Sequence, residues 1–591
     1  MAIALVTWLH LVTHDFGAAL PSGSADPGQE AWFLAWLPHA LGAGANPFSS
    51  GAVFAPSGVN LLDNTSMDLL GLLFAPVTVT AGPVASLDVA VLLAPALSAL
   101  AAFALCRRYV SWSPAAFAGG LCFGFGPFLT GDLRYGHLDL TWLALLPLIF
   151  CCLDALVVRG TRRPLLMGAT LATLVVGQFF VSTEMLAITA LTAAVVAVVV
   201  SIAWPRTALP HLAAAWRGLV PAAAVTVAAL AYPLWFVVRG PHHVAGPVWH
   251  HLGAIATSLA ATVQPRAELP GVQFISGSNG SYLGVPLLAV VAIGAIVLWR
   301  SRILRIALVA ALVAYIASLG YELHAAKQAL GVALPAAVLG HVPLLDSIAP
   351  ERFAAMVDLF CGLALAVVID RARRWDRPQK RGAVAMLHVG GREPTAGSPP
   401  AASTPAQPAA SLLVVLSAAI GAFALVPFAA LGRWPYTVTA VRRPAAFAQP
   451  TIGEQLTNGG ARVPTLAIFP DSPAWTSDEM VWQAQDGFSF SLADGYAIVP
   501  GVDQRAVESP RADALWLVLA AGSLHRLHLP LSGTTRAAVL GDLRDLGVDE
   551  VVVVPGAEGS SAVRGAMREV LRAPGREQGG AVQWRVAADA G

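Results

Sequence analysis

Apolar residues in this chain come in unbroken runs, not in strand-like alternation. Runs of bilayer-spanning length, about 17–25 residues, fall near 85–105, 114–130, 141–158, 165–183, 185–203, 218–238, 285–299, 306–320, 354–370 and 410–431. Residues 1–13 are apolar but short. They read as a truncated first span or its outer half. With no basic n-region and no small-residue cleavage site, they are not read as a signal peptide. The pattern predicts a mainly α polytopic helical bundle of about eleven spans.

The basic residues orient it. Arg107/Arg108, Arg159/Arg162/Arg163, Arg206/Arg217, Arg300/Arg302/Arg305 and Arg371/Arg373/Arg374 recur at every second span boundary. The positive-inside rule places all five clusters in the cytoplasm. The N-terminus is then inside, and residues 14–84, 131–140, 239–284, 321–353 and 432–591 are outside. Residues 66–83 are long enough to cross, but a crossing there would invert every later cluster. They are therefore expected to lie on the outer face as an interfacial or re-entrant helix. Residues 30–42, with Trp32, Phe33, Trp36 and Leu37, are expected to be a second surface helix, because tryptophan favours the interface.

This gives a domain plan. Residues 1–375 form a transmembrane bundle with a large first outer loop, 14–84. Residues 376–409, rich in Pro, Ala, Gly and Ser, form a cytoplasmic low-complexity linker. Residues 410–431 are the last span, and 432–591 an extracytoplasmic α/β domain. Strands are predicted there at 465–469, 488–492, 496–499, 549–554 and 582–586, with an amphipathic helix at 535–546.

Composition agrees. The chain is 56% hydrophobic and 12% charged, about half the usual charge of a soluble domain. With 35 acidic against 36 basic residues, no polyanion-binding bias exists, and nucleic acid is excluded as a partner. Cys106, Cys122, Cys151, Cys152 and Cys361 all sit in apolar stretches and form no disulfide framework.

The candidate chemistry lies in the outer segments. Carboxylates, histidines and arginines from several outer ends would suit an acid/base site facing a phosphate-bearing donor. Asp26 is the first candidate base, since Pro27 fixes the backbone after it. The competing role is capping of a helix over 28–42. Asp15 is the rival base. In the short loop 131–140, Arg134 suits a phosphate and His137 a hydroxyl or phosphate oxygen, with Asp139 beside them. For Arg134 the alternative is interfacial snorkelling. Arg352 is either a phosphate clamp or an ion pair with Glu351 or Asp346. Glu184, at the edge of a span, is a membrane-depth carboxylate, and His39 adds a polar group to the first loop. His242/His243 and His250/His251 match no metal-ligand spacing. The glycines of 119–127 suit helix packing, and the sequons at Asn64 and Asn279 decide nothing. No Walker loop, HExxH or GxSxG occurs, so an ATP-driven pump or standard hydrolase has no support.

The layout and the segments DPGQEAWFLAWLPHALGAGANPF (26–48), FGFGPFLTGDLRYGHLDL (123–140), PERF (350–353) and WQAQDGFSFSLADGYAIVPG (482–501) resemble GT-C class membrane glycosyltransferases of actinobacterial type. The resemblance implies a polyprenyl-phosphate-linked sugar donor, a glycan or lipid acceptor outside the plasma membrane, and a first-loop carboxylate as base, here Asp26. It implies a second-loop role for Asp132, Arg134, His137 or Asp139. That loop lacks the adjacent acidic pair of metal-dependent relatives, so a divalent cation is left open. Two other readings compete: a transporter or lipid flippase, which would need mid-membrane charge and repeats, and a non-catalytic scaffold binding wall glycans.

Overall fold

The computed structural model describes residues 1–21, 25–246, 256–263, 282–325, 328–374, 407–431, 435–447, 463–470, 477–508, 513–523 and 531–586. Most of the linker, His250/His251 and the Asn279 sequon lie outside the described residues.

The apolar runs fold as helices. Five are long and apolar enough to cross a membrane: Pro83–Arg107, Leu138–Val158, Thr183–Ala203, Leu209–Arg239 and Pro350–Arg373. Asp68–Ala81, Pro164–Phe179, Val285–Val297 and Leu412–Val426 are apolar but shorter. The chain is a membrane protein. Trp216 and Trp235, both exposed, stand on one helix, Pro205–Arg239. Nineteen residues of α-helix rise about 28 Å, close to the thickness of a bilayer's hydrocarbon core. The separation of the two tryptophans thus matches that of the two aromatic belts of a bilayer-spanning helix.

Three basic clusters meet at one end of the bundle. Asp154 accepts from Arg108, from Arg159 Nε at 2.6 Å and from the Tyr109 hydroxyl at 2.5 Å. Nearby, Asp370 pairs with Arg374 and accepts the Trp112 amide at 2.9 Å. Two further acids lie within spans, Asp88 and Asp358, both buried. Each accepts a backbone amide, from Gly17 at 2.6 Å and from Phe128 at 3.3 Å. Asp358 thereby caps helix Pro127–Tyr135, whose first-turn amides would otherwise lack acceptors.

Helix Asp26–Gly42 corrects one expectation. It is buried in protein instead of lying on the membrane: Trp32, Phe33, Trp36 and Leu37 are all below one-tenth exposed. Apolar residues cover it on all sides, and such a helix belongs in a core. What covers it is a segment more than 400 residues away. Trp32 Nε1 donates to Gln483 Oε1 at 2.7 Å, and Gln483 Nε2 donates to the carbonyls of Ala52 and Phe490, both at 2.7 Å. Strand Ala19–Pro21 pairs antiparallel with Val438–Ala440. Asn64 bonds the backbone of Ile498 in both directions. The described residues of the first loop and of 435–508 thus pack together.

Beyond it, a five-stranded mixed sheet runs in the order Arg576–Gln578, Ala581–Arg585, Glu550–Val553, Thr465–Phe469, Ser491–Leu492. Helices Ala514–Ser523, Gly533–Asp545 and Ser560–Leu571 accompany it, and the sheet and helices share an apolar core. Of the run 488–492, only Ser491–Leu492 pairs as strand.

Candidate functional site

Asp26 is the first residue of its helix, followed by Pro27, and Ala25 occupies the cap position without a side-chain bond. Its carboxylate is therefore turned to other partners. His137 Nε2 lies 3.1 Å from Asp26 Oδ2, and His137 Nδ1 lies 3.1 Å from Asp132 Oδ1. The Tyr496 hydroxyl donates to Asp26 Oδ1 at 3.0 Å. The result is a line of four side chains, Asp132–His137–Asp26–Tyr496, drawn from three distant parts of the chain.

The local sequence explains the placement. Helix Pro127–Tyr135 ends at Gly136, in the left-handed region at φ 83°. A Cβ on Gly136 would stand 2.3 Å from Pro27 Cγ. Only glycine lets this turn rest against Pro27 and set the next residue, His137, against Asp26. On the other side, a Cβ on Gly28 would stand 2.2 Å from Ser477 Oγ, and that hydroxyl donates to the Ala25 carbonyl. The segment that carries Tyr496 approaches through this second gap.

Burial disfavours a charged imidazole at His137, but the bonds from Asp132 and Asp26 outweigh it and hold its pKa well above the ordinary value. The two carboxylates thus favour the protonated imidazole at His137. Glu30, one helical turn beyond Asp26, is 6% exposed. Burial, then the charges of Asp139 and Asp26, push its pKa well up against the opposing charge of His137. Among the described residues, its Oε2 has no hydrogen-bond partner.

The other predicted residues fall in three places. Asp139 is under the charges of Arg352, His137, Asp132 and Asp26, and buried Glu351 is under that of Asp132. Arg352 pairs with Glu184, not with Glu351 or Asp346, and Glu184 Oε1 also accepts the Ala349 amide at 2.8 Å. Arg134 is half-buried, its guanidinium carbon 5.9 Å from the Tyr135 ring centroid. Among the described residues it has no ion pair. His39 lies outside the group, about 20 Å along the helix from Asp26. It packs its ring 4.5 Å from Phe488, and burial lowers its pKa. Asp15 sits in the turn Leu11–Asp15, with no described contact to Asp26.

Three members were missed in the sequence: Glu30, Tyr496 and the pairing of Asp132 with His137. Glu30 carried a readable signal, the i to i+4 spacing from Asp26 on one helix face. Tyr496 carried none. Among the described residues, no group of three or more His, Cys, Asp and Glu side chains is placed to hold a metal ion.

No family model matches the sequence, and no curated protein matches it. Solved structures do resemble the chain. The oligosaccharyltransferase of Archaeoglobus fulgidus in its apo form is 12% identical over 93% of this chain and 68% of that one, with a TM-score of 0.45. ArnT of Cupriavidus metallidurans bound to undecaprenyl phosphate is 13% identical over 83% of this chain and 84% of that one, with a TM-score of 0.40. Both are glycosyltransferases of the GT-C class.

Proposed function

We propose that this chain is a membrane glycosyltransferase that moves a sugar from a polyprenyl-phosphate donor to an extracytoplasmic glycan or lipid acceptor, with Asp26 as the base. The observation that carries the reading is the grip on Asp26: His137 on one carboxylate oxygen and Tyr496 on the other. In this reading a substrate hydroxyl also meets this carboxylate, each of whose oxygens accepts more than one hydrogen bond. The sequence resemblance to GT-C enzymes supplies the donor and acceptor classes.

In this reading the acceptor hydroxyl gives its proton to Asp26 while its oxygen attacks the anomeric carbon. The bond from that carbon to the phosphate oxygen breaks, and the lipid phosphate leaves with the electron pair. A phosphate is already a stable leaving group, so the electrostatic need is a fixed cation beside it. Arg134, with no carboxylate partner among the described residues, is the first candidate of the two arginines. Arg352 would have to share its guanidinium with Glu184. The topology read from the basic clusters belongs to the same proposal: N-terminus in the cytoplasm, with the first loop and residues 432–591 outside the plasma membrane.

The test is transfer from a radiolabelled polyprenyl-phosphate sugar by purified protein in lipid. Wild-type protein is expected to transfer and Asp26→Asn to lose at least about 100-fold in turnover, the scale of a removed general base. Unchanged turnover in Asp26→Asn would overturn the base assignment. Absence of transfer by the wild type, together with substrate flux across vesicles, would instead favour a transporter.

A further inference from the structure

The segment between helices Arg302–Ser318 and Ala354–Arg373 is assigned by the sequence to an outer loop. It forms a hairpin, Glu322–Ala325 with Gln328–Ala333, then the turn Pro335–His341. Its surface does not suit water. Residues 328–345 contain no Asp, Glu, Lys or Arg. Leu330, Val332, Val338 and Leu344 are 48%, 49%, 63% and 72% exposed. Leu344 also holds a left-handed backbone, φ 72°, a conformation that leucine adopts only under constraint. One residue that is both strained and exposed marks a function beyond packing.

The turn Pro335–His341 packs against helix Arg302–Ser318, whose Leu312 is 56% exposed. A two-stranded hairpin has unpaired edges, so it cannot sit in the hydrocarbon centre. It can lie at the headgroup boundary with apolar side chains dipping into the acyl region. We propose that residues 330–344 form a wedge in the outer leaflet, its partner being the lipid surface itself, with Leu330, Val332, Val338 and Leu344 as the inserted side chains. The chain then runs straight into Pro350–Phe353, where the Ala349 amide and Arg352 are both fastened to Glu184. This inference rests on the topology of the glycosyltransferase reading, and not on its chemistry.

The test uses nitroxide labels on cysteines placed singly at 338 and 344 in the full chain, in phosphatidylcholine–phosphatidylglycerol vesicles. The native cysteines are buried or half-buried, and any that react are replaced first. A label at Leu312 serves as the lipid reference and one at Glu577, 81% exposed at its side chain, as the aqueous reference. The expected result is strong relaxation by oxygen and weak relaxation by a water-soluble nickel chelate at both positions, matching 312 by a several-fold ratio over 577. Ratios like that of 577 would overturn the proposal. So would shielding from both reagents, which would mean that protein covers the patch. Position 338 keeps the test decisive if a substitution at the strained Leu344 disturbs the fold.

Discussion

Tyr496 and Asp26 stand 470 positions apart in sequence and share a hydrogen bond of 3.0 Å. The bond makes the segment after the last apolar helix part of the candidate site, not an appendage to it. Tyr496 is held in turn: Gln29 donates to its carbonyl, and its own amide donates to Met480 Sδ at 3.3 Å. A hydrogen bond to a charged group is worth about 1.5–3 kcal/mol. Tyr496→Phe should therefore lower the turnover of sugar transfer roughly 10- to 100-fold, with the Michaelis constant for the donor little changed. In an Asp26→Asn background the same substitution should add almost nothing. A full additional loss in the double variant would show that Tyr496 acts on something other than Asp26.

Stability should fall as pH rises, and the sign follows from two groups. His137 and Glu30 both have raised pKa values in the folded chain. The native state therefore binds more protons than the unfolded state, and stability is lost with increasing pH. For Glu30 the loss begins near its unfolded value, about 4.3, and for His137 near about 6.5. Within its window each group costs up to about 1.4 kcal/mol per pH unit. Thermal unfolding in detergent across pH 4–9 measures this. Glu30→Gln should flatten the lower part of the decline and His137→Gln the upper part. A melting temperature that climbs steadily with pH would contradict the assignment.

The two arginines should separate by kinetics. Arg134 has no ion pair among the described residues, whereas Arg352 neutralises Glu184, whose side chain is 14% exposed. Arg134→Ala should raise the donor's Michaelis constant about tenfold, the low end for a hydrogen bond to a charged group, and leave the melting temperature unchanged. Arg352→Ala strips a partly buried carboxylate of its partner and should lower the melting temperature as well. Glu184→Gln should restore the stability lost in Arg352→Ala. Donor-concentration series and melting curves on the same preparations distinguish these outcomes.

The apolar runs and basic clusters were legible because bilayer length and charge asymmetry act along the chain itself. Asp26, His137, Asp139 and Arg352 could be named as candidates because each stands out chemically in an outer segment. What the sequence hid is pairing over long separations. Trp32 and Trp36 look like interfacial anchors until Gln483 and Phe488 are known to cover them. His39 looks as polar as His137, yet it lies near the far end of its helix from the base. Asp132 seemed one of several second-loop acids, and only the turn at Gly136 folds it back onto His137. Helix geometry can be read locally, whereas the docking of residues 477–498 on the first loop is set by tertiary packing alone.

That turn gives a tight point of the arrangement to test. Gly136 has φ 83°, and a methyl group there would stand 2.3 Å from Cγ and 3.1 Å from Cβ and Cδ of Pro27. Proline's ring cannot rotate out of the way, so either the turn or the start of the Asp26 helix must shift. The left-handed conformation itself costs alanine roughly 1–2 kcal/mol, too little to unfold a bundle of this size. The displacement falls on residues 26 and 137, the pair whose spacing matters. A misplacement of about 1 Å costs on the order of 100-fold in rate. Gly136→Ala should therefore give a folded protein with turnover reduced by about that factor, while Gly160→Ala, also left-handed at φ 62° but with no neighbour within 4 Å of its Cβ, should transfer sugar at the wild-type rate. Equal losses in the two variants would mean that backbone strain, and not the contact with Pro27, is what the position controls.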